Sequence, residues 1–280
     1  MKTIFCRLLF IFLLAHSNFI SAEVVFAPDN STVLITGSNR GLGLEFSRQY
    51  AAAGWNVIAT CRSPQTAKEL QKLAAQYNQV AVEKMDVTSD SDVEVLSAKY
   101  KNQPIDVLLN NAGIYGTLEK QTLGAFDFEE LKRVFDVNTI GSLRVSAAFL
   151  DNVAASDQKK IISLGGGMGT PTIGGMFGAH YFMKMSKAAH LSAMGTLQAD
   201  VDDTGIIITM ISPGRVDTQL MRDSGWTGKS ISAEKSAGLV ISLIDKLEPE
   251  MKGRLVMYNG MIIPWSVSYT HLTLPTKRIV

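Results

Sequence analysis

Cysteine is scarce in this chain, which holds only Cys6 and Cys61 among its 280 residues. Because Cys6 falls in the N-terminal segment described below, only Cys61 remains, and we expect no intrachain disulfide. The sequence also lacks a C-x-x-C pair, a cluster of histidine and cysteine, and an H-E-x-x-H motif. We therefore predict no metal site.

The chain also lacks an excess of charge of either sign. Its formal net charge is +1, and charged residues make up 19% of it. A protein that binds nucleic acid through phosphates carries a basic patch or stripe, so we expect no nucleic-acid partner. Hydrophobic residues make up 46% of the sequence, which is an ordinary globular composition with enough apolar side chains for a sizeable core.

The N-terminal segment, residues 1–22, has the pattern of a secretory signal peptide. Lys2 and Arg7 give a basic start, an apolar run follows at 8–15, and Ser21-Ala22 offers small residues for cleavage. The run is shorter than the roughly 20 residues that a membrane-spanning helix needs. We expect no membrane span after cleavage and a secreted, periplasmic or ER-luminal protein. The alternatives are an uncleaved anchor, or a start codon placed too far upstream, which would leave the protein cytoplasmic.

The C-terminal segment, residues 266–280, does not continue the pattern that precedes it. Its sequence, SVSYTHLTLPTKRIV, has no periodicity and resembles translated sequencing adapter rather than evolved protein. We expect it to pack poorly and assign the folded domain to residues 23–265. No internal repeat or low-complexity linker divides that domain.

Between these segments, short β-rich runs alternate with longer runs of helical periodicity. The first strand is predicted at 32–36 and the first helix at 42–53, and the alternation continues to a last short strand at 255–258. Long helices are predicted at 128–150 and 183–201. The pattern is typical of an α/β fold, and we predict a single doubly wound Rossmann domain with a parallel sheet of about seven strands. Such sheets bind ligands at the carboxyl ends of their strands.

A glycine-rich turn follows the first predicted strand and opens the first helix. It reads Thr36-Gly37-Ser38-Asn39-Arg40-Gly41-Leu42-Gly43. Glycines let the backbone approach a pyrophosphate, and a helix N-terminus offers unpaired N–H groups and positive potential. A plain tight turn is the alternative, but the position at the start of the domain favours cofactor binding.

The spacing T-G-x-x-x-G-x-G resembles that of the short-chain dehydrogenase/reductase family. The resemblance covers about residues 30–265, and the ending Asn259-Gly260 to Pro264-Trp265 is similar to small carbonyl reductases related to C-factor proteins. It implies an oxidoreductase that transfers hydride to a small carbonyl compound, and a homo-oligomer is possible. The other matching motifs, in order, are Asp86-Val87, Asn110-Asn111-Ala112-Gly113, Asn138, Ser186-Lys187-Ala188-Ala189 and Pro213-Gly214-Arg215-Val216-Asp217-Thr218.

The resemblance assigns cofactor roles to these motifs. It implies that Asp86 hydrogen-bonds the adenine and that Lys187 reaches the nicotinamide ribose. The adenine-side ribose would be supported by Asn110, Ala112 and Gly113. The residues expected to bind the cofactor are Gly37, Ser38, Asn39, Arg40, Gly41, Leu42, Gly43, Arg62, Asp86, Val87, Asn110, Ala112, Gly113, Lys187, Pro213, Gly214, Val216 and Thr218.

The end of the second predicted strand indicates which nicotinamide cofactor is bound. A carboxylate there usually holds the 2′-hydroxyl of NAD, whereas the 2′-phosphate of NADP needs cations. The strand ends at Cys61-Arg62 without a carboxylate, and Arg62 and Arg40 could clamp one phosphate. We therefore predict NADP(H) rather than NAD(H). The alternative is that both arginines are solvated surface residues.

The resemblance also reveals two substitutions at the catalytic site. Family members use a tyrosine as proton donor, a lysine that lowers its pKa, a serine that holds the substrate oxygen and an asparagine that anchors a water. Asn138 and Lys187 match this set as catalytic residues, but Met183 stands at the tyrosine position and Gly166 at the serine position. A thioether has no proton to donate. The sequence predicts an impaired enzyme or, alternatively, a non-catalytic NADP(H) sensor or interaction protein.

Neighbouring side chains are weaker candidates for the missing groups. Tyr181 lies two residues before Met183, which places it on the opposite side of a helix that contains both. Ser163 lies at an odd strand offset from Gly166 and should face the other way. The alternative for Tyr181 is a loop or packing role. Thr170, Thr172 and Tyr115 could approach the nicotinamide face, and each is a weak candidate for a catalytic group.

Overall fold

The computed structural model describes residues 24, 26–176 and 178–265. The predicted signal peptide and the predicted C-terminal tail lie outside the described residues. Within these ranges, no helix is both long and apolar enough to cross a lipid bilayer.

One sheet runs through the described part of the chain. It consists of β1 (Thr32–Ile35), β2 (Asn56–Cys61), β3 (Val80–Lys84), β4 (Val107–Asn110), β5 (Lys160–Leu164), β6 (Ile207–Ser212), β7 (Leu255–Met257) and β8 (Ile262–Ile263). The strand order is β3-β2-β1-β4-β5-β6-β7-β8. Strands β1 to β7 pair in parallel, and β8 joins β7 antiparallel. The strand order reverses between β1 and β4, and this is where open α/β sheets form their ligand crevice.

Helices cover both faces of this sheet. Those in the described ranges are α1 (Gly41–Ala52), α2 (Lys68–Gln76), α3 (Asp90–Lys99), α4 (Phe128–Phe135), α5 (Gly141–Ala148), α6 (Leu150–Ala154), α7 (Pro171–Gly174), α8 (Tyr181–Asp200), α9 (Gln219–Asp223) and α10 (Ala233–Asp245). A π-helical turn at Asp136–Ile140 joins α4 to α5, so the long helix predicted at 128–150 is interrupted. Helix α8 begins two residues earlier than predicted.

The central strands are buried on both faces, which explains their nearly continuous apolar sequences. Successive side chains of β1 alternate between two cores. Val33 and Ile35 pack with Phe46 of α1, whereas Leu34 packs on the other face with Leu191 of α8. The predicted doubly wound parallel sheet is thus confirmed.

Strand β8 is the main addition to the predicted sheet. Gly260, with a left-handed φ of 88°, turns the chain back, and the Met257 N–H donates to the Met261 carbonyl at 2.8 Å. A two-residue strand is too short to leave a periodic signal in the sequence, so the prediction of about seven strands missed it.

Side-chain caps set where several helices begin. Ser89, Asp127 and Ser232 precede α3, α4 and α10, and each accepts a hydrogen bond from a backbone N–H in the first turn. Helix α1 differs from these three helices. The side chain of its N-cap residue, Arg40, accepts no hydrogen bond from the first-turn N–H groups, and the first turn holds no acidic residue. The N–H groups at this terminus therefore remain available to another acceptor.

Candidate functional site

A long cleft follows the carboxyl ends of the strands. Its wall is formed by the turn after β1, the end of β2, and the segments after β3, β4, β5 and β6. These are the places where the sequence motifs were expected. The topology therefore brings most of the predicted site residues to one edge of the sheet.

The turn between β1 and α1 is closely packed against the segment after β4. Gly37 and Gly41 have left-handed φ angles of 68° and 56°, which glycine adopts readily. A Cβ added at Gly43 would lie 2.2 Å from the Gly37 carbonyl oxygen. Asn111 Nδ2 donates to the carbonyls of Thr36 at 2.7 Å and Gly37 at 3.1 Å. The shape of the turn is therefore fixed before any ligand binds.

The features of this end of the cleft suit a phosphate-bearing cofactor. The α1 N-terminus provides N–H groups with positive potential. Arg40 and Arg62 are exposed at the cleft wall, and neither forms an ion pair within the described part of the chain. The residues present thus fit the anionic part of a dinucleotide.

Gly43→Ala should disturb this turn. The added methyl group would overlap the Gly37 carbonyl, so the backbone must shift at a cost of about 1–3 kcal/mol. We expect a lower thermal unfolding midpoint and loss of NADPH binding in a fluorescence titration. Gly195→Ala in α8 is the matched control, because its Cβ would lie at an ordinary 3.6 Å from the Gly253 carbonyl oxygen. If Gly43→Ala behaved like that control, the close approach would not govern binding.

Most residues predicted to bind the cofactor line the cleft, including Asp86, whose Oδ1 accepts hydrogen bonds from Thr88. Three others do not line it, and their assigned binding roles stay predictions. Ser38 is fully buried and donates to the Ile35 carbonyl, while Asn110 and Val216 are almost fully buried behind the wall. Asn111, which was assigned no role, lines the cleft instead.

Met183 lies where the cleft meets the first turn of α8. It is 7% exposed, and its Sδ is 3.7 Å from Asn138 Nδ2. Lys187 lies one turn further along the helix and donates from Nζ to the Leu164 carbonyl at 2.8 Å. Burial lowers the pKa of Lys187 to about 8. The structure therefore brings Met183, Asn138 and Lys187 together at the cleft wall.

Asn138 belongs to the π-helical turn, a feature that is frequent at functional sites. Its Nδ2 donates to the Ile114 carbonyl at 2.9 Å and to Ser186 Oγ at 3.1 Å. Its Oδ1 accepts from the Ile114 N–H at 2.8 Å. One side chain thus joins the segment after β4 to helix α8.

Gly166, at the position of the expected serine, lies in the cleft wall after β5. Its backbone is extended, with φ −170° and ψ 143°, and a Cβ added there would meet no atom within 4 Å. Ser163 is fully buried, accepts a hydrogen bond from Asn110 at 3.3 Å and does not line the cleft. A serine would fit at position 166, and Ser163 does not replace it.

Of the other side chains predicted as candidate proton donors, some line the cleft and some do not. Tyr181 is 40% exposed, packs against Phe126 with ring centroids 4.9 Å apart, and is not part of the cleft wall. Thr170 and Thr172 are also absent from that wall, and Thr170 caps α7. Tyr115 is the exception, because it lines the cleft.

Tyr115 has a partner that was not predicted from the sequence. The Tyr115 hydroxyl lies 2.7 Å from Nδ1 of His180, and both side chains line the cleft. His180 precedes α8 with a left-handed φ of 59°, a conformation that tertiary contacts must hold for a residue with a Cβ. No local pattern indicates such a residue, so the sequence alone held no signal for it.

His190 is the second histidine in the part of the chain that the structure describes. Burial, and then the charge of Lys187, lowers the pKa of His190 on α8 to about 3, so this ring is neutral at physiological pH. Among the residues that the structure describes, no group of three or more His, Cys, Asp or Glu side chains could hold a metal ion.

The family model for short chain dehydrogenase matches residues 31–227. A 1-hydroxy-2-glutathionyl-2-methyl-3-butene dehydrogenase from Rhodococcus sp. (strain AD45) is 31% identical over 239 residues, covering 84% of this chain and 100% of that protein. The C-signal protein of Myxococcus xanthus is 33% identical over 162 residues, covering 58% of this chain and 93% of that protein. The crystal structure of an NADPH-bound carbonyl reductase from chicken fatty liver matches with a TM-score of 0.77 and 26% identity, covering 84% and 99% of the two chains.

These similarities agree with the ordered motifs and with the geometry of the cleft. The glycine turn, Asn138 and Lys187 all line one cleft at the edge of a doubly wound sheet. The expected resemblance is confirmed: the chain belongs to the short-chain dehydrogenase/reductase family.

Proposed function

We propose that this protein binds NADP(H) and reduces small carbonyl compounds slowly. The observation that carries the proposal is the contrast within one cleft. Its cofactor end keeps the close-packed glycine turn, while Met183 and Gly166 occupy the positions of the family's proton donor and substrate-binding hydroxyl. Binding is therefore retained and proton delivery is weakened.

The preference for NADP(H) rests on charge. Arg40 at the N-cap of α1 and Arg62 after β2 both line the cleft, and Cys61 rather than a carboxylate completes β2. An arginine fork suits a phosphate and gives no advantage with a neutral hydroxyl. The similarity to a carbonyl reductase with bound NADPH supports the same choice.

The chemistry divides between the cofactor and the chain. When bound, the reduced nicotinamide supplies a hydride to the carbonyl carbon. Lys187 would hold the nicotinamide ribose and Asn138 keeps α8 in position, but Met183 offers no proton to the substrate oxygen. Loss of a general acid costs about 10²–10⁴ in rate and loss of an oxyanion donor about 10²–10³, without strict additivity.

A non-catalytic NADP(H) sensor or interaction protein is the second candidate. It is favoured by the combination of two lost catalytic groups with a predicted export leader. Pyridine nucleotides are kept inside cells, so a secreted or periplasmic reductase would lack reductant, whereas one in the ER lumen would not. A cytoplasmic location, which follows if the start codon is misplaced, favours the reductase.

Fluorescence titration with NADPH and NADH tests the proposal. We expect micromolar binding of NADPH and at least about tenfold weaker binding of NADH, because the 2′-phosphate adds charge-assisted contacts. NADPH oxidation across a panel of aldehydes and diketones should be detectable but slow. Absence of NADPH binding would remove both candidates, and binding without any oxidation would select the sensor.

A further inference from the structure

Tyr115 and His180 form a polar pair in the wall of the cleft. Tyr115 is 4% exposed, and its hydroxyl lies 2.7 Å from His180 Nδ1, with the rings edge to face at 84°. Both residues line the same cleft as Met183 and Lys187. A phenol joined to an imidazole at a cleft wall is a pair suited to general acid chemistry.

The position of Tyr115 relative to Met183 is fixed by a buried amide. Gln121 is fully buried, donates from Nε2 to the Tyr115 carbonyl at 3.0 Å, and accepts at Oε1 from the Met183 N–H at 3.1 Å. Asn138 makes a second link between the same segments, because its side chain hydrogen-bonds to the Ile114 backbone and to Ser186 Oγ. The segment that carries Tyr115 is therefore held against the turn of α8 that carries Met183.

His180 is held in an unusual backbone conformation. Ala179 and His180 have left-handed φ angles of 57° and 59°, which are unfavourable for residues that carry a Cβ. Strain of this kind persists where the surrounding structure enforces it, and it is concentrated at functional sites. Here it directs the ring of His180 to the Tyr115 hydroxyl. His180 is only half-buried, so water can reach the pair.

We infer that Tyr115 donates the proton in the slow carbonyl reduction, and that His180 relays a replacement proton from water. The inference rests on the proposed function. Tyr115 would act as the catalytic acid in place of the family's missing phenol, and His180 would act through it.

A dihydronicotinamide is the reductant and its hydride forms the new C–H bond, while the π electrons of the carbonyl move to its oxygen. That oxygen takes the proton of the Tyr115 hydroxyl. His180, as the tautomer protonated at Nδ1, then returns that proton to the Tyr115 oxygen, and its Nε2 takes one from water, which leaves as hydroxide. One hydride and one proton are added, and an alcohol is released.

The protonation states at neutral pH suit this sequence. Burial raises the pKa of Tyr115 to about 12, so the hydroxyl keeps its proton until an alkoxide forms. An alcohol is about as weak an acid as water, whose pKa is about 15.7, so transfer from the phenol is still downhill. Burial, and then the charge of Lys184, lowers the pKa of His180, which keeps its ring neutral. A phenol with this raised pKa is a weak acid, which agrees with slow turnover.

Tyr115→Phe tests the inference, with Tyr181→Phe as the matched control outside the cleft. NADPH affinity is measured by fluorescence, and turnover by NADPH oxidation with 4-nitrobenzaldehyde. We expect Tyr115→Phe to lower kcat at least about tenfold, without changing NADPH affinity or KM by more than twofold. Added imidazole should restore part of the lost rate, which a purely structural defect would not allow. Tyr181→Phe should match the natural chain.

His180→Asn is the second variant, because asparagine tolerates the left-handed backbone. It should lower kcat by several-fold, and added imidazole should again restore part of the lost rate. In the cofactor-free protein, the Nδ1 resonance of His180 should shift in Tyr115→Phe and stay unchanged in Tyr181→Phe. Full kcat in Tyr115→Phe, or NADPH binding without turnover in the natural chain, would overturn the inference and leave the binding proposal intact. Absence of NADPH binding would overturn both.

Discussion

The double variant Met183→Tyr/Gly166→Ser is expected to reduce carbonyl compounds about 10²–10⁴-fold faster than the natural chain. The new phenol would lie one helical turn before Lys187, whose charge would lower the pKa of the phenol. The new serine would offer a hydrogen bond to the substrate oxygen. The measurement is kcat for NADPH oxidation, with NADPH affinity determined in parallel.

The structure indicates that both side chains can be accommodated. A Cβ at position 166 meets no atom within 4 Å, and the backbone there is extended, as any residue permits. Met183 already lines the cleft, so the larger tyrosine side chain can extend into the cleft from the correct face of α8. With a pKa of about 8, Lys187 is mostly charged at pH 7 and can act on the introduced phenol.

Met185→Tyr in the same helix is a suitable control, because that side chain is 45% exposed and lies outside the cleft wall. It should leave turnover unchanged. In the double variant, removal of the Tyr115 hydroxyl should matter little, since the proton would come from position 183. If the double variant bound NADPH and gained no activity, loss of these two groups would not explain slow turnover.

The sequence predicted the fold well where local patterns determine it. Strand β1 is buried throughout and apolar at three of its four positions, and the left-handed Gly37 and Gly41 mark the turn that follows. The π-helical turn at Asp136–Ile140 was not predictable in this way. Its residues bond to a distant helix, as when Thr139 Oγ1 donates to the Ser186 carbonyl at 2.8 Å, so tertiary contact overrides the local helical pattern.

At the site, short-range geometry was again the predictable part. The step of about 200° between Tyr181 and Met183 correctly placed Tyr181 away from the cleft. The sequence motif did not show which of its residues face the cleft. Asn110 and Asn111 belong to the same N-N-A-G motif, but only Asn111 lines the cleft. The contact between Tyr115 and His180 joins positions 65 residues apart through a left-handed backbone, which no sequence periodicity indicates.

Replacing both arginines, as Arg40→Ala/Arg62→Ala, should weaken NADPH binding by at least about 100-fold, since hydrogen bonds to charged groups contribute about 1.5–3 kcal/mol each. NADH affinity should change by less than about threefold, because NADH carries no 2′-phosphate. Fluorescence titrations of both cofactors measure the two effects. In the natural chain, the preference for NADPH over NADH should also decline with added salt, because salt screens exposed charges.

Arg48→Ala is the matched control, because Arg48 lies on α1, two turns after its N-cap Arg40, but pairs with Glu45 and does not line the cleft. It should leave both affinities unchanged. If the double variant lost affinity equally for NADPH and NADH, the arginines would bind the pyrophosphate that both cofactors share. Unchanged affinities would mean that Arg40 and Arg62 are solvated surface residues. Only a selective loss of NADPH affinity fits a cleft in which the two guanidinium groups supply the charge that opposes the 2′-phosphate.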